Sequence, residues 1–170
     1  MKLLGAALVV LASCVVGFGF AGSVRAQMRQ MEALLAAVTT MKSEIIYRMT
    51  PLEALLDILC HAQDPVIGDF FENWKDTLYH GEYTTVQRAL HQAVRKTEGL
   101  DLTDETVQTL DVLAGSLGKS DVEGQCAAID LALEQLRLQL QYLQADSHRR
   151  VRSYRTISVC TGLALAVILL

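Results

Sequence analysis

Between residues 25 and 49, Met31, Leu34, Val38, Met41, Ile45 and Met49 recur at steps of three and four. That spacing lays them along one face of an α-helix. The same period returns five times. Leu52, Leu55, Leu56 and Leu59 form a second stripe, and Val66, Ile67, Phe70, Phe71, Trp74 and Leu78 a third. Val86, Leu90, Ala93 and Val94 make a fourth, and Val107, Leu110, Leu113 and Leu117 a fifth. The sixth is the longest: Cys126, Ile129, Leu133, Leu136, Leu140 and Leu143 alternate three and four like a heptad seam. Leu131 and Leu138 fall off that seam, which predicts packing on two sides within a bundle. No stretch alternates with period two, so no sheet is expected.

Polar residues punctuate these stripes where helices start and stop. Thr50-Pro51-Leu52-Glu53 reads as a cap, a proline in the first helical position and the glutamate of a capping box. Asp64-Pro65 repeats the start signal, Thr84 or Thr85 opens the fourth helix, and Thr103 caps the fifth. Gly81 and Gly99 act as stops. The segment Gly115-Ser116-Leu117-Gly118-Lys119-Ser120-Asp121 resembles a phosphate-binding loop at first glance. That motif needs about four residues between its first glycine and the Gly-Lys pair, after a strand. Only Ser116 and Leu117 intervene here, and a helical stripe precedes them. The reading is therefore a turn: Gly115 and Gly118 release one helix, and Ser120 with Glu123 caps the next. The resulting fold class is all-α, an antiparallel bundle of about six helices.

Both ends of the chain are apolar. Residues 3–24 carry no charge, enough for one membrane-spanning helix. Residues 157–170 are also uncharged but give roughly 21 Å of helix against a bilayer core of about 30 Å. The expected organisation is a transmembrane helix over residues 1–25, a helical bundle over 26–155 and a C-terminal membrane segment over 156–170. Leu11-Ala12-Ser13-Cys14 has the form of a lipoprotein processing box, and Val24-Arg25-Ala26 that of a signal-peptidase site. The apolar run continues past Cys14 and is long for a signal peptide, which favours an uncleaved anchor.

Charge separates the middle of the 170-residue chain from its flanks. Residues 44–146 hold 18 acidic and 7 basic side chains, a net of −11. Arg25 and Arg29 follow the first apolar stretch, and Arg149, Arg150, Arg152 and Arg155 precede the second. Basic collars on both inner flanks predict a cytosolic bundle, and an acidic body argues against nucleic-acid binding. Four cysteines and four histidines show neither Cys-x-x-Cys pairing nor a zinc spacing. With no nucleophile elbow, zinc helix or phosphate loop, the sequence offers no catalytic constellation and calls for no cofactor.

Several stretches together resemble a known family: Leu3-Leu4-Gly5 with Leu11-Ala12-Ser13, Met41 to Tyr47 with Thr50 to Leu55, Gly115 to Asp121, Gln125, and Tyr154 with Gly162. In order and position they are similar to the stage III sporulation protein AB family of endospore-forming bacteria. That resemblance implies a fold like the helical cytosolic domains of type II secretion F proteins. It implies a membrane platform subunit of the channel apparatus joining mother cell and forespore, not an enzyme. The protein would sit in the mother-cell membrane around the forespore, with the cytosolic ATPase stage III sporulation protein AA and other channel proteins as partners. The resemblance implies that the position of Cys14 usually holds another small residue, which would make the lipoprotein-like box accidental. The signature turns supply the expected partner-binding residues: Glu44, Tyr47, Pro51, Lys119, Ser120, Asp121 and Gln125. The competing expectation is an extracytoplasmic tethered sensor or lipoprotein, in which Cys14 would be lipidated and the bundle outside.

Overall fold

A computed structural model of the chain describes residues 24–81, 85–117 and 122–169, the part beyond residue 145 as backbone. Arg29–Leu140 form one compact unit, and the described parts of the flanking segments belong to a second. Every regular element among the described residues is helical: α1 (24–43, prolonged by a π-helical turn over Glu44–Arg48), α2 (Leu52–Leu59), α3 (Pro65–Tyr79), α4 (Val86–Lys96), α5 (Asp104–Ser116) and α6 (Val122–Leu169). The six elements and the all-α class are those the periodicity predicts.

The strongest start signals act as expected. The Asp64 carboxylate accepts the Val66 and Ile67 amides, and Pro65 occupies the first position of α3. Thr85 caps α4 through the Arg88 N–H, and Thr103 caps α5 through the Thr106 N–H. Two boundaries differ. Gly115 lies inside α5, which ends at Ser116 with Leu117 as its C-cap, so Gly115 does not stop the helix. Its missing side chain instead makes room for Gln87, whose Nε2 lies 3.0 Å from where a Cβ would sit. Thr50 does not cap α2 either: the helix starts at Leu52 with Pro51 as its N-cap residue and not in the first helical position, so Thr50 lies one residue too early.

The core is centred on α3. Phe70, Phe71 and Trp74 are fully buried, with ring centroids 5.1 to 6.1 Å apart. The Trp74 indole donates to the Val86 carbonyl at 3.1 Å, tying α3 to the start of α4. α3 packs on α2 and α4, and α4 packs on α5. Asp57 meets Lys75 while Cys60 meets Gly68, so α3 runs back along α2. Likewise Gln87 touches Gly115 while both Gln87 and His91 reach Asp111, so α5 runs back along α4. The antiparallel arrangement is therefore explicit in both pairs.

Polar contacts link the sequence-distant ends of this unit. Lys42 of α1 pairs with Asp130 of α6. Between α5 and α6, the buried Thr106 hydroxyl donates to the Gln139 side-chain oxygen at 2.8 Å, and the Gln139 amide donates to the Thr109 hydroxyl at 3.3 Å. Leu131 and Leu138, expected to pack on a second side, are instead 53% and 46% exposed. A leucine off the seam is compatible with either outcome, since isolated apolar side chains are common on protein surfaces.

α6 continues without a break to Leu169, as the sequence suggests it can. Among the described residues no helix is long and apolar enough to cross a membrane. Residues 1–23, where the first membrane helix is expected, and the Ser120 capping box lie outside the described residues.

Candidate functional site: a cleft where two turns meet

α1 ends in an irregular way with identifiable causes. The residue before a proline is pushed out of the α region, so the helix cannot run through Thr50 into Pro51. The chain widens into a π turn and leaves through Met49, whose φ of 49° is left-handed. The Met49 N–H bonds to the Glu44 carbonyl, and the Thr50 N–H reaches the same oxygen at 3.3 Å. Such exits usually place glycine at the left-handed position, and a methionine there costs about 1 kcal/mol.

The Glu44 side chain closes the same turn. One carboxylate oxygen accepts from the Arg48 guanidinium at 3.2 Å, and the other accepts from the Thr50 hydroxyl at 2.9 Å. Glu44 is 9% exposed, so its carboxylate is largely out of water, while the Arg48 side chain reaches it from the exposed side. This is where the Thr50 hydroxyl goes instead of capping α2. Pro51, extended at φ −58° and ψ 149°, then offers its carbonyl to the Leu55 N–H at 2.9 Å and starts α2.

A cleft of about 260 Å³ opens beside this turn. Ile45, Met49, Thr50 and Pro51 line it from the first turn, Leu52 and Leu55 from α2, Leu117 from the end of α5, and Val122 and Gln125 from the start of α6. Its walls are mainly apolar, with Thr50 and Gln125 as the polar lining residues. Sites for small molecules run at roughly 300–1,000 Å³. This cleft is below that range and suits one or two inserted side chains better than a cofactor. Of the lining residues Met49 is 75% exposed, and its chain neighbours Tyr47, 82% exposed, and Arg48 are exposed as well. Tyrosine, methionine and arginine are the residue types that protein interfaces favour.

The expected binding residues thus take different places. Pro51 and Gln125, 74 positions apart, line one cleft. Tyr47 is exposed and is not among the lining residues, while Glu44 is buried with both carboxylate oxygens engaged. Lys119, Ser120 and Asp121 lie outside the described residues, between the lining residues Leu117 and Val122 in sequence. The sequence reading missed Met49, Leu117 and Val122 as walls. Leu117 and Met49 each close an apolar stripe, and that terminal position was the available signal.

Elsewhere the chemistry is quiet. Among the described residues no group of histidine, cysteine and carboxylate side chains is placed to hold a metal. The Cys60 thiol donates to the Leu56 carbonyl at 3.1 Å, and burial pushes its pKa up, away from the reactive thiolate. His91 lies 3.0 Å from the Asp111 carboxylate in an exposed pair.

Comparison with known proteins agrees with the motif order along the chain. The family model for stage III sporulation protein AB matches residues 2–170. Stage III sporulation protein AB of Bacillus subtilis (strain 168) is 26% identical over 171 residues, covering 100% of this chain and 99% of that one. A solved structure of stage III sporulation protein AB is similar with a TM-score of 0.62 and 25% identity, over 72% of this chain and 97% of the other. From a match that runs the length of the sequence and a shared helical fold, this chain belongs to the stage III sporulation protein AB family.

Proposed function

We propose that this chain is a non-enzymatic platform subunit of the membrane apparatus that joins mother cell and forespore during endospore formation. Family membership supports the role in sporulation. In this reading the bundle faces the mother-cell cytosol, anchored through the apolar ends, and the cleft beside the first signature turn receives the ATPase stage III sporulation protein AA. The observation that carries the docking site is geometric. The end of α1 and the start of α2 share one largely apolar cleft with the end of α5 and the start of α6, and Met49, one of its lining residues, is 75% exposed. An aromatic or aliphatic anchor in such a pocket is how protein partners usually concentrate binding energy.

The test is recovery of the ATPase with the full-length protein from membranes. Tyr47→Ala combined with Val122→Asp changes two exposed side chains, so folding stability is expected to stay within about 0.5 kcal/mol of wild type. Recovery of the ATPase is expected to fall by about tenfold or more. Wild-type recovery by a folded double variant would remove this cleft as the docking site.

A further inference from the structure

Four bonds converge on one residue at the exit from α1. The Glu44 carbonyl accepts the Met49 and Thr50 amides, and its carboxylate accepts Arg48 and Thr50 side-chain donors. The backbone they hold is unfavourable on its own, because Met49 takes a left-handed conformation that glycine adopts freely and methionine does not. The π turn here ends α1, a place where such turns occur. Here the turn has a direct effect on the cleft: Ile45, Met49, Thr50 and Pro51 are all cleft walls. A regular α turn would bond Met49 to Ile45 instead of Glu44 and move those walls.

We propose that Glu44 is a positioning residue, a buried latch that holds the π turn and thereby gives the cleft its shape, and not a residue that touches the partner. This rests on the cleft as the binding site. Glu44 acts through Thr50 and Arg48: the hydroxyl bond fixes the residue before Pro51, and the guanidinium bond fixes the turn from its outer side. Glutamine can replace the latch, since its amide oxygen can accept from Arg48 while its NH₂ donates to the Thr50 hydroxyl, which serves as either partner. Leucine cannot, because it offers no acceptor to either group.

The experiment follows amide exchange in the full-length protein in detergent, by mass spectrometry of a peptide spanning residues 47–52, alongside recovery of the ATPase. Glu44→Leu and Thr50→Val are each expected to speed exchange in that peptide about tenfold, while peptides from α3 keep their protection. Glu44→Gln is expected to stay near wild type. Wild-type exchange in Glu44→Leu, or equal acceleration in Glu44→Gln and Glu44→Leu, would overturn the latch. If Glu44→Leu fails to accumulate, Thr50→Val carries the comparison, and unchanged exchange there overturns the proposal. Faster exchange with undiminished ATPase recovery leaves the latch standing and removes the cleft as the docking site.

Discussion

Gln30 of α1 and Gly99 of the α4–α5 loop, 69 positions apart, are joined by a hydrogen bond of 2.8 Å from the glutamine amide to the glycine carbonyl. The amide oxygen of Gln30 accepts the Asp101 N–H at 2.8 Å in return. One buried side chain thus reads both a donor and an acceptor of a loop that turns through a glycine at φ 75°. Gln30→Leu is expected to destabilise the bundle by about 1–3 kcal/mol, because the Gly99 carbonyl loses its donor in a part-buried place. Denaturant unfolding measures the cost, and exchange at the Asp101 amide reports whether the loop is where it is felt.

Gly68 sets the corner between α2 and α3. A Cβ on this residue would lie 2.6 Å from the Cys60 carbonyl oxygen, a backbone atom that cannot rotate away. Gly68→Ala ought to raise helix propensity by about 1 kcal/mol in an open helix. Here the clash wins, and a net loss of about 1–3 kcal/mol is expected. A melting temperature at or above wild type would show that the corner yields.

The exposed pair Lys75 and Asp57 gives a pH signature of known sign. The Lys75 ammonium donates to the Asp57 carboxylate at 2.9 Å, and that bond, with the charge behind it, lowers the Asp57 pKa and raises that of Lys75. The aspartate's contribution is present above its unfolded pKa of about 3.9 and is lost as pH falls through the lower folded value. The lysine's contribution is present below about 10.4 and is lost as pH rises through the higher folded value. Between those limits the pair stabilises the α2–α3 contact, weakly, because water screens it. Lys75→Met is expected to return the Asp57 carboxyl titration, followed by carbon NMR, to the ordinary range.

Sidedness separates the two readings of the apolar ends. With the native cysteines replaced, a cysteine at the exposed Glu98 is expected to resist a membrane-impermeant thiol reagent in intact cells and to react after lysis. Labelling in intact cells would put the bundle outside and discard the channel-platform reading.

The parts of the fold that were legible in the sequence are those where one local rule acts alone. Asp64-Pro65 starts α3 because nothing else competes for the carboxylate. Thr50-Pro51-Leu52-Glu53 misled because α2 starts at Leu52 with Pro51 as its N-cap residue, one position later than the box requires, which leaves Thr50 outside the helix. The π turn left no trace in the periodicity, since over five residues the apolar spacing of π and α turns does not differ enough to notice. Gly115 looked like a helix stop, but its reason is lateral: Gln87 of α4 occupies the space where a Cβ would be. The candidate site was half legible. Family signatures drew attention to both turns, but only packing shows that Leu117 and Val122 close the cleft with Pro51 and Gln125.

The Thr106–Gln139–Thr109 contact between α5 and α6 acts as a vernier on an otherwise smooth scale. The buried face of α6 carries Ile129, Ala132, Leu133 and Leu136, apolar side chains that name no partner of their own, so apolar contact alone discriminates weakly between alignments one turn, about 5.4 Å, apart. A slide of one turn would carry the Gln139 amide away from both hydroxyls and leave Thr106 with its Thr103 partner alone. Apolar packing makes these two helices adhere, and three polar side chains fix which of several near-equivalent alignments they adopt.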